Sequence, residues 1–459
     1  MNFPLKRIHF VGIGGIGMSA IAEMLSVFGV AVQGSNNIEN ANTKRLQKKG
    51  IPVFIGHDET HLKGVEAVVI SSAIHPDNVE LMAAQKQGIP VAHRSEILAE
   101  LMRFKKSISI SGSHGKTTTS SLIAHMLVSA DMDPSFIIGG ILNAKGSNAG
   151  VGTGDWVVAE ADESDGSFLK LPSTISVVTN IEPEHMDYYK TFDREKMAYQ
   201  TFLNQTAFYG TCVVCVDHPV VREVLSEIKN RRVLTYGFSK TADIHADNVR
   251  VVKGGSLFDV YVREGVAFQK VADVKISLMG KHNILNALAA FSVGEFLKID
   301  RNIIKNSLAD FMGIQRRLTL RGTEGGVAVY DDYAHHPTEI KATLSALKEH
   351  VSGRLIAIFQ PHRYTRFQDL WADFKTAFDG VDALFVTDVY SAGDPVMEGV
   401  TADKFVSEMV PSYPHVFKTT EDDFSLDVAH FTKSGDTVVC LNAGSLSRHI
   451  PELLEVLKK

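Results

Sequence analysis

The chain predicts an α/β protein of three domains with mostly parallel sheets, and three observations carry that prediction. Its 459 residues suit about three domains at roughly 150 residues each. Apolar strands, glycine turns and helices alternate along the whole length, the rhythm of layered α/β folds. Two strand–glycine loop–helix starts are present, at Gly12 and at Gly112. A composition of 44% hydrophobic and 22% charged residues can bury several cores.

The elements follow in order. RIHFVG runs into GIGGIGMSAIAEMLSVFG, a strand, a tight turn and an amphipathic helix closed by Gly29. AVQGS reads as the second strand and AVVISS as a later one. The basic stretch RFKKS (Arg103 to Ser107) precedes SISISGSHGKTTTSSLIAHML, a new strand–loop–helix start, and sets the first domain at 1–105. A second boundary falls near FMGIQRRLTLRG, between the helical NALAAFSVGEFL and the strand VAVYDDY. That gives a central domain of 106–314 and a C-terminal one of 315–459, with RLIAIFQ, ALFVTDV and DTVVCLNAG as strands. No repeat or low-complexity tract interrupts the pattern.

Bulk features exclude several classes. A net charge of -6 argues against a nucleic-acid partner. No apolar run reaches the roughly 18 residues of a membrane span, and MNFPLKRIHF lacks a signal peptide's apolar stretch. Three cysteines make no disulfide framework, which points to the cytoplasm. Cys212 and Cys215 form a CxxC, but within TCVVCV they read as core of a buried strand.

Gly12, Gly14 and Gly17 satisfy G-x-G-x-x-G between a strand and a helix. Such glycines let the backbone approach a pyrophosphate, which the helix N-terminus then holds. A nicotinamide enzyme would add an acid about 20 residues on. Here Gly34, Ser35, Asn36 and Asn37 end the second strand, which disfavours a dehydrogenase and leaves other pyrophosphate nucleotides open.

The second loop, Ser111 to Thr118, follows a strand and opens a helix, with Ile110 where a full Walker loop has glycine. Its backbone N–H groups suit a β-phosphate, Lys116 the β/γ oxygens and Thr117 a Mg²⁺ ion. Mg²⁺ prefers oxygen ligands. DWVVAEADESD supplies Glu160 at a strand's carboxyl end, ahead of Asp162, Glu163 and Asp165. TISVVTN ends in IEPEHMDYY, which puts His185 at another strand terminus. In GKHNILNALAA, His282, Asn283 and Asn286 stand at a helix start, where Asn283 could serve as N-cap or meet a nucleotide.

With these pieces assembled, the chain resembles the Mur ligases of peptidoglycan synthesis. The matching stretches include VGIGGIGMSAIAEML, SSAIHPDNVEL, SGSHGKTTT, EADESDGSF, TNIEPEHMDYY, HNILNALAA, QRRLTLRG, DDYAHHPTEI and FQPHRYTRFQDL, in family order. The resemblance implies a Rossmann-like UDP-binding domain, a central P-loop ATPase-type domain and a C-terminal Rossmann-like domain. It implies an ATP-dependent amide ligase joining L-alanine to the lactyl carboxylate of UDP-N-acetylmuramate through an acyl phosphate. ATP and Mg²⁺ would be required, with Mn²⁺ able to substitute, in a cytoplasmic monomer or homodimer. The alternatives are the related ligase that adds a recycled murein tripeptide and, more distantly, an NAD-type oxidoreductase. A non-catalytic nucleotide-binding regulator could dispense with Lys116, Glu160 and the arginine pair.

Residue by residue, the resemblance places Gly12, Gly14, Gly15, Gly17, Ser35, Ser71, Ser72 and Asn78 at the UDP-substrate. Gly112, Ser113, His114, Gly115, Lys116, Thr117, Thr118, His282, Asn283, Asn286, Arg317 and Asp332 would meet ATP. Thr117, Glu160 and His185 would hold metal, and Tyr333, His335, Arg363 and Arg366 would form the amino-acid pocket. The implied catalytic residues are Lys116, His185, Arg363 and Arg366. A planar bidentate arginine suits the carboxylate of alanine. Three positions depart from the family: Asn36 replaces the usual Asp, Ser113 a threonine and Leu318 a phenylalanine. Lys196 falls where some relatives carry a carbamylated lysine, and no such role is expected here.

Overall fold

The computed structural model describes residues 3–142, 147–411, 413 and 415–458. Three sheets organise the chain. The first has the order Val53–Ile55, Ala31–Asn36, Arg7–Val11, Ala67–Ile70, Val91–His93, with every neighbouring pair parallel. Its central strand is buried from Ile8 to Val11 and leads through Gly12 into the helix Ile16–Val27. Gly29, at φ 83°, turns the chain out of that helix, a conformation glycine adopts without a Cβ penalty.

The second sheet contains, in order, Val233–Gly237, Thr211–Cys215, Ile175–Val178, Lys106–Ser111, Trp156–Glu160, Ser135–Leu142 and Ser147–Gly150. Three further strands, Ile244–Val252, Gly255–Glu264 and Ala267–Ile276, extend it. Pairing is parallel from Val233–Gly237 to Ser135–Leu142, and the last strand, Ser147–Gly150, is antiparallel. The strand order reverses around Lys106–Ser111, which lies between Ile175–Val178 and Trp156–Glu160. Open parallel sheets bind ligands at the carboxyl ends of strands beside such a reversal.

The third sheet has the order Thr319–Glu324, Val327–Asp332, Thr437–Leu441, Leu355–Phe359, Ala383–Val386, Val416–Lys418. It is parallel except for its first, antiparallel pair. Both faces are covered, so its strands alternate between two cores rather than between core and water. Leu355, Ala357 and Phe359 pack with Phe367, Phe378 and Phe405, while Ile356 and Ile358 pack with Phe424 and Leu453.

Packing divides the chain into two compact units. The first is 1–248 with 258–275 and 285–312; the second is 249–257 with 276–284 and 313–459. Within the first unit one apolar core runs from Ile8, Phe10 and Leu25 through Ile137 and Val157 to Phe168, Tyr199 and Phe202. At the junction of its two sheets, Lys105 Nζ donates to the carbonyls of Gly152 (2.7 Å) and Gly154 (2.8 Å) and to Ser135 Oγ (3.1 Å). Cys212 and Cys215 are buried in their strand, and burial raises both thiols. The CxxC is therefore core, as the apolar flanks predicted.

Candidate active site

Three loops meet at the carboxyl edge of the second sheet. The loop after Lys106–Ser111 turns at Gly112 (φ 133°) and Gly115 (φ 84°), and the helix Lys116–Ser129 starts there. The loop after Ile175–Val178 clamps it: Asn180 Oδ1 accepts from His114 N (2.8 Å), while Thr179 Oγ1 (2.6 Å) and Asn180 Nδ2 (2.9 Å) donate to the His114 carbonyl. Ser113 Oγ accepts from Glu182 N at 2.8 Å, so the serine in place of threonine keeps its bonding function. From the helix Lys281–Leu297, Asn286 approaches Gly115 so closely that a Cβ there would lie 2.5 Å from Oδ1. The amide of Asn286 also accepts from Thr119 Oγ1 at 3.2 Å.

The charges gather on this frame. Lys116 Nζ donates to Gly112 O (2.6 Å), Ser113 O (3.2 Å) and Glu163 Oε1 (2.7 Å). Burial opposes the charge on Lys116, but Glu163, Glu184 and Asp162 more than offset it and hold the ammonium above its usual range. Burial pushes Glu163 up to about 7 against the pull of Lys116. Thr117 Oγ1 lies 3.1 Å from both carboxylate oxygens of Glu160, the last residue of its strand. Gly139 N donates to Glu160 Oε2 at 2.7 Å and fixes the carboxylate.

Two donor sets suit a hard cation. Thr117 and Glu160 offer oxygens side by side. Glu163, Glu184 and His185 place one ligand atom each within 4.8 Å of one another. Among the described residues the buried Glu163 Oε2 has no hydrogen-bond partner, which suits an acceptor for a cation. His185 is held at φ 56°, uncommon for a residue with a Cβ, which aims its ring at Glu163. Glu163 and Glu184 were not singled out as ligands in the sequence. Their position after strands that both flank Lys106–Ser111 is the signal that could have found them.

The glycine loop of the first sheet is also well determined. Gly12 N and Ile13 N both donate to Ser35 O at 2.9 Å. Asn36 Oδ1 accepts from Gly14 N at 3.0 Å, so the amide that replaces the usual Asp pins the loop. Gly15 is the N-cap of the helix that follows and lends it no side chain. A Cβ on Gly17 would lie 3.2 Å from Arg94 Nη1. Two of the side chains expected at the substrate are engaged within the protein. The Ser35 hydroxyl is fully buried and turned away from the loop, because Glu80 accepts from it at 2.5 Å. Asn78 caps the helix Val79–Gln87, accepting from Glu80 N and Leu81 N. Ser71 is half-buried and Ser72 exposed beyond the strand Ala67–Ile70.

Behind that loop Glu80 is fully buried among histidines, 2.7 Å from His61 Nδ1, 2.9 Å from His57 Nδ1 and 3.3 Å from His9 Nε2. Burial alone would raise this carboxyl; hydrogen bonds from His9, Ser35 and His61 overturn that and bring it from 4.5 to about 2. A folded value below the unfolded one adds stability above pH 4.5 that is lost as pH falls toward 2, on the order of 3 kcal/mol. The melting-temperature gap between the wild type and Glu80→Gln should therefore be constant above about pH 5 and shrink below it. A gap unchanged down to pH 3 would contradict the assignment.

In the second unit, Asp332 accepts from Leu318 N (2.6 Å), Ala334 N (2.8 Å) and Thr343 Oγ1 (3.2 Å). Burial raises its carboxyl to about 6 although Arg317 opposes the shift. Arg317 stacks over Tyr333 at 5.3 Å, and the Tyr333 and His335 rings meet edge to face at 5.3 Å. His335 contacts His362 at 5.6 Å, and Arg366 Nη1 lies 3.3 Å from His362 Nδ1. Tyr333, His335 and Arg366 thus share one cluster, bridged by His362, which the sequence reading left out. Burial and the neighbouring His335, Arg366 and Arg363 lower His362 to about 3, so it is a neutral acceptor. Arg363 sits at φ 68° and donates its N–H to Tyr390 O.

His282 and Asn283 stand in the first turn of their helix as expected, but the N-cap role for Asn283 needs correction. The helix begins at Lys281, so Asn283 lies inside it and donates Nδ2 to Met279 O at 2.8 Å instead of capping. His282 precedes it on the same turn. Lys196 pairs with Asp193 and Glu223, both at 2.9 Å, and not with the carboxylates around Lys116.

Comparisons with known proteins agree over the whole chain. Residues 7–106 match the Mur ligase family catalytic domain, 110–294 the Mur ligase middle domain and 316–444 the Mur ligase glutamate ligase domain. The UDP-N-acetylmuramate–L-alanine ligase of Rhodopseudomonas palustris strain TIE-1 is 47% identical over 454 residues, covering 98% of this chain and 97% of that protein. The crystal structure of UDP-N-acetylmuramate-alanine ligase MurC from Thermotoga maritima superposes with a TM-score of 0.82 at 26% identity, covering 98% of each chain. A murein peptide ligase from Psychrobacter arcticus shares the fold at 22% identity, with a TM-score of 0.72 and 99% of each chain covered.

Proposed function

The chain belongs to the Mur ligase family, and on that premise we infer that it joins L-alanine to the lactyl carboxylate of UDP-N-acetylmuramate, with ATP giving ADP and phosphate, in peptidoglycan precursor synthesis. The observation that carries this reading is 47% identity, end to end, with a protein of that activity. The fold is the three-domain α/β fold of the family. We set the domain limits at 1–105, 106–314 and 315–459.

The chemistry follows from the substrates. A carboxylate is a poor electrophile, and phosphorylating it turns one oxygen into part of a leaving group. The amine of L-alanine then attacks the carbonyl carbon, and the tetrahedral intermediate expels phosphate as the amide forms. Such steps depend on alignment and charge neutralisation more than on covalent help from the protein. Lys116 carries the fixed positive charge, and the rigid Gly112–Gly115 turn presents the backbone that cradles the phosphates. Asn286, Asn283, His282, Arg317 and Asp332 are assigned to ATP, and the loop Gly12–Gly17 to the uridine diphosphate. Tyr333, His335, Arg363 and Arg366 are assigned to L-alanine, where an arginine matches its carboxylate. Thr117 with Glu160, and His185 with Glu163 and Glu184, would hold Mg²⁺, which when bound neutralises charge on the phosphates.

No described helix is long and apolar enough to cross a membrane, and we place the protein in the cytoplasm. The test is substrate dependence. Phosphate release from ATP should require UDP-N-acetylmuramate and L-alanine together, and should match amide formed one to one. Turnover with the tripeptide L-alanyl-γ-D-glutamyl-meso-diaminopimelate but none with L-alanine would reassign the chain to the recycling branch.

A further inference from the structure

Glu80 lies outside the phosphate and metal chemistry, yet it ties together the pieces that shape the first glycine loop. Its carboxylate takes the Ser35 hydroxyl and His57 on one oxygen, and His61 and the Asp58 N–H (3.4 Å) on the other, with His9 Nε2 3.3 Å away. His9 belongs to the strand Arg7–Val11, which runs directly into the loop and pairs with Ala31–Asn36 in the register His9↔Gln33. Gln33 Nε2 in turn lies 3.3 Å from His9 Nδ1 and donates to His61 O at 2.6 Å. Ser35 is the critical link. Its hydroxyl is bound by Glu80, while its carbonyl receives both Gly12 N and Ile13 N, and the next residue, Asn36, receives Gly14 N. Three consecutive loop N–H groups therefore hang on a strand end that Glu80 holds from behind. A carboxylate buried at 0% exposure is costly to keep unless its bonds are all made, and here they are made to groups that define the loop.

We propose that Glu80 is a positioning residue for the uridine nucleotide: acting through Ser35, it sets the strand end on which the Gly12–Gly17 loop is seated. The proposal rests on the assignment of that loop to the uridine diphosphate. Glu80 touches no reacting atom, so its loss should appear in affinity for one substrate and not in the chemical step.

The experiment uses the full chain, with UDP as the titrated probe, and compares the wild type with Glu80→Gln and Ser35→Ala. Both variants should weaken UDP binding and raise KM for UDP-N-acetylmuramate roughly tenfold, the effect of about one hydrogen bond to a charged group. Values of kcat and of KM for ATP and L-alanine should stay within about twofold, as expected where uniform binding alone is lost. Ser35→Ala leaves the histidines on Glu80 and decides the matter alone if Glu80→Gln does not fold. Unchanged UDP affinity in a folded variant overturns the proposal. So does a parallel loss for all three substrates, which is the mark of a merely structural role. Wild-type protein that does not bind UDP at all would overturn the loop assignment itself, a result separate from either.

Discussion

Lys116→Ala should lower kcat by about a thousandfold or more, because on our assignment it removes a fixed cation from the loop that would hold the phosphates. The ammonium is held by the protein itself, 2.6 Å from Gly112 O and 2.7 Å from Glu163 Oε1. The substitution also leaves Glu163 buried without its partner, which should cost a few kcal/mol of stability. Burial already raises that carboxyl to about 7 against the pull of Lys116, and removing Lys116 shifts it further up. The double variant Lys116→Ala/Glu163→Gln should recover the melting temperature and leave activity lost. Steady-state rates and thermal melts on the three variants separate the two effects. Turnover within tenfold of wild type in the single variant would refute the role given to Lys116.

Gly112→Ala should abolish measurable ATP binding, a loss of at least about a hundredfold. The residue sits at φ 133°, a region that L side chains rarely adopt, and a Cβ there would lie 2.1 Å from Thr179 Oγ1. Thr179 cannot simply move aside, since that hydroxyl donates to His114 O at 2.6 Å and helps hold the loop. Relief therefore displaces the whole turn. UDP binding should be unaffected, because the first glycine loop hangs on a different sheet. Calorimetric titration with each nucleotide gives both answers, and ATP affinity within threefold of wild type would show the clamp to be dispensable.

What was legible in the chain was local. Gly112, Gly115 and Lys116 announce a strand, a turn and a helix within a dozen residues, and the apolar runs around Ile8, Ile108 and Ile356 mark parallel strands directly. Glu160 was legible for the same reason, since it ends a hydrophobic strand. What was not legible depended on pairing across distance. Among the four acids after Ala159, nothing local favours Glu163, and only the fold brings it to Lys116 and His185. Ser35 looked like a ligand contact because it ends a strand beside the loop. Its side chain alternates to the buried face, where residue 80 happens to supply a carboxylate. Asn283 looked like a cap because asparagine often is one, but the helix starts earlier, at Lys281. His362 carried no assigned role beside two arginines, although its ring joins Arg366 to His335.

The three cysteines have a practical side. Cys212, Cys215 and Cys440 are all buried, and burial raises every one of the thiols, Cys215 to about 11. Only an accessible thiolate reacts quickly with alkylating agents or oxidants. The native protein should therefore ignore maleimides and mild peroxide while it stays folded. One cysteine introduced at the surface would carry a fluorophore or spin label with almost no background, and motions during turnover could be followed without first stripping the chain of its own sulfur.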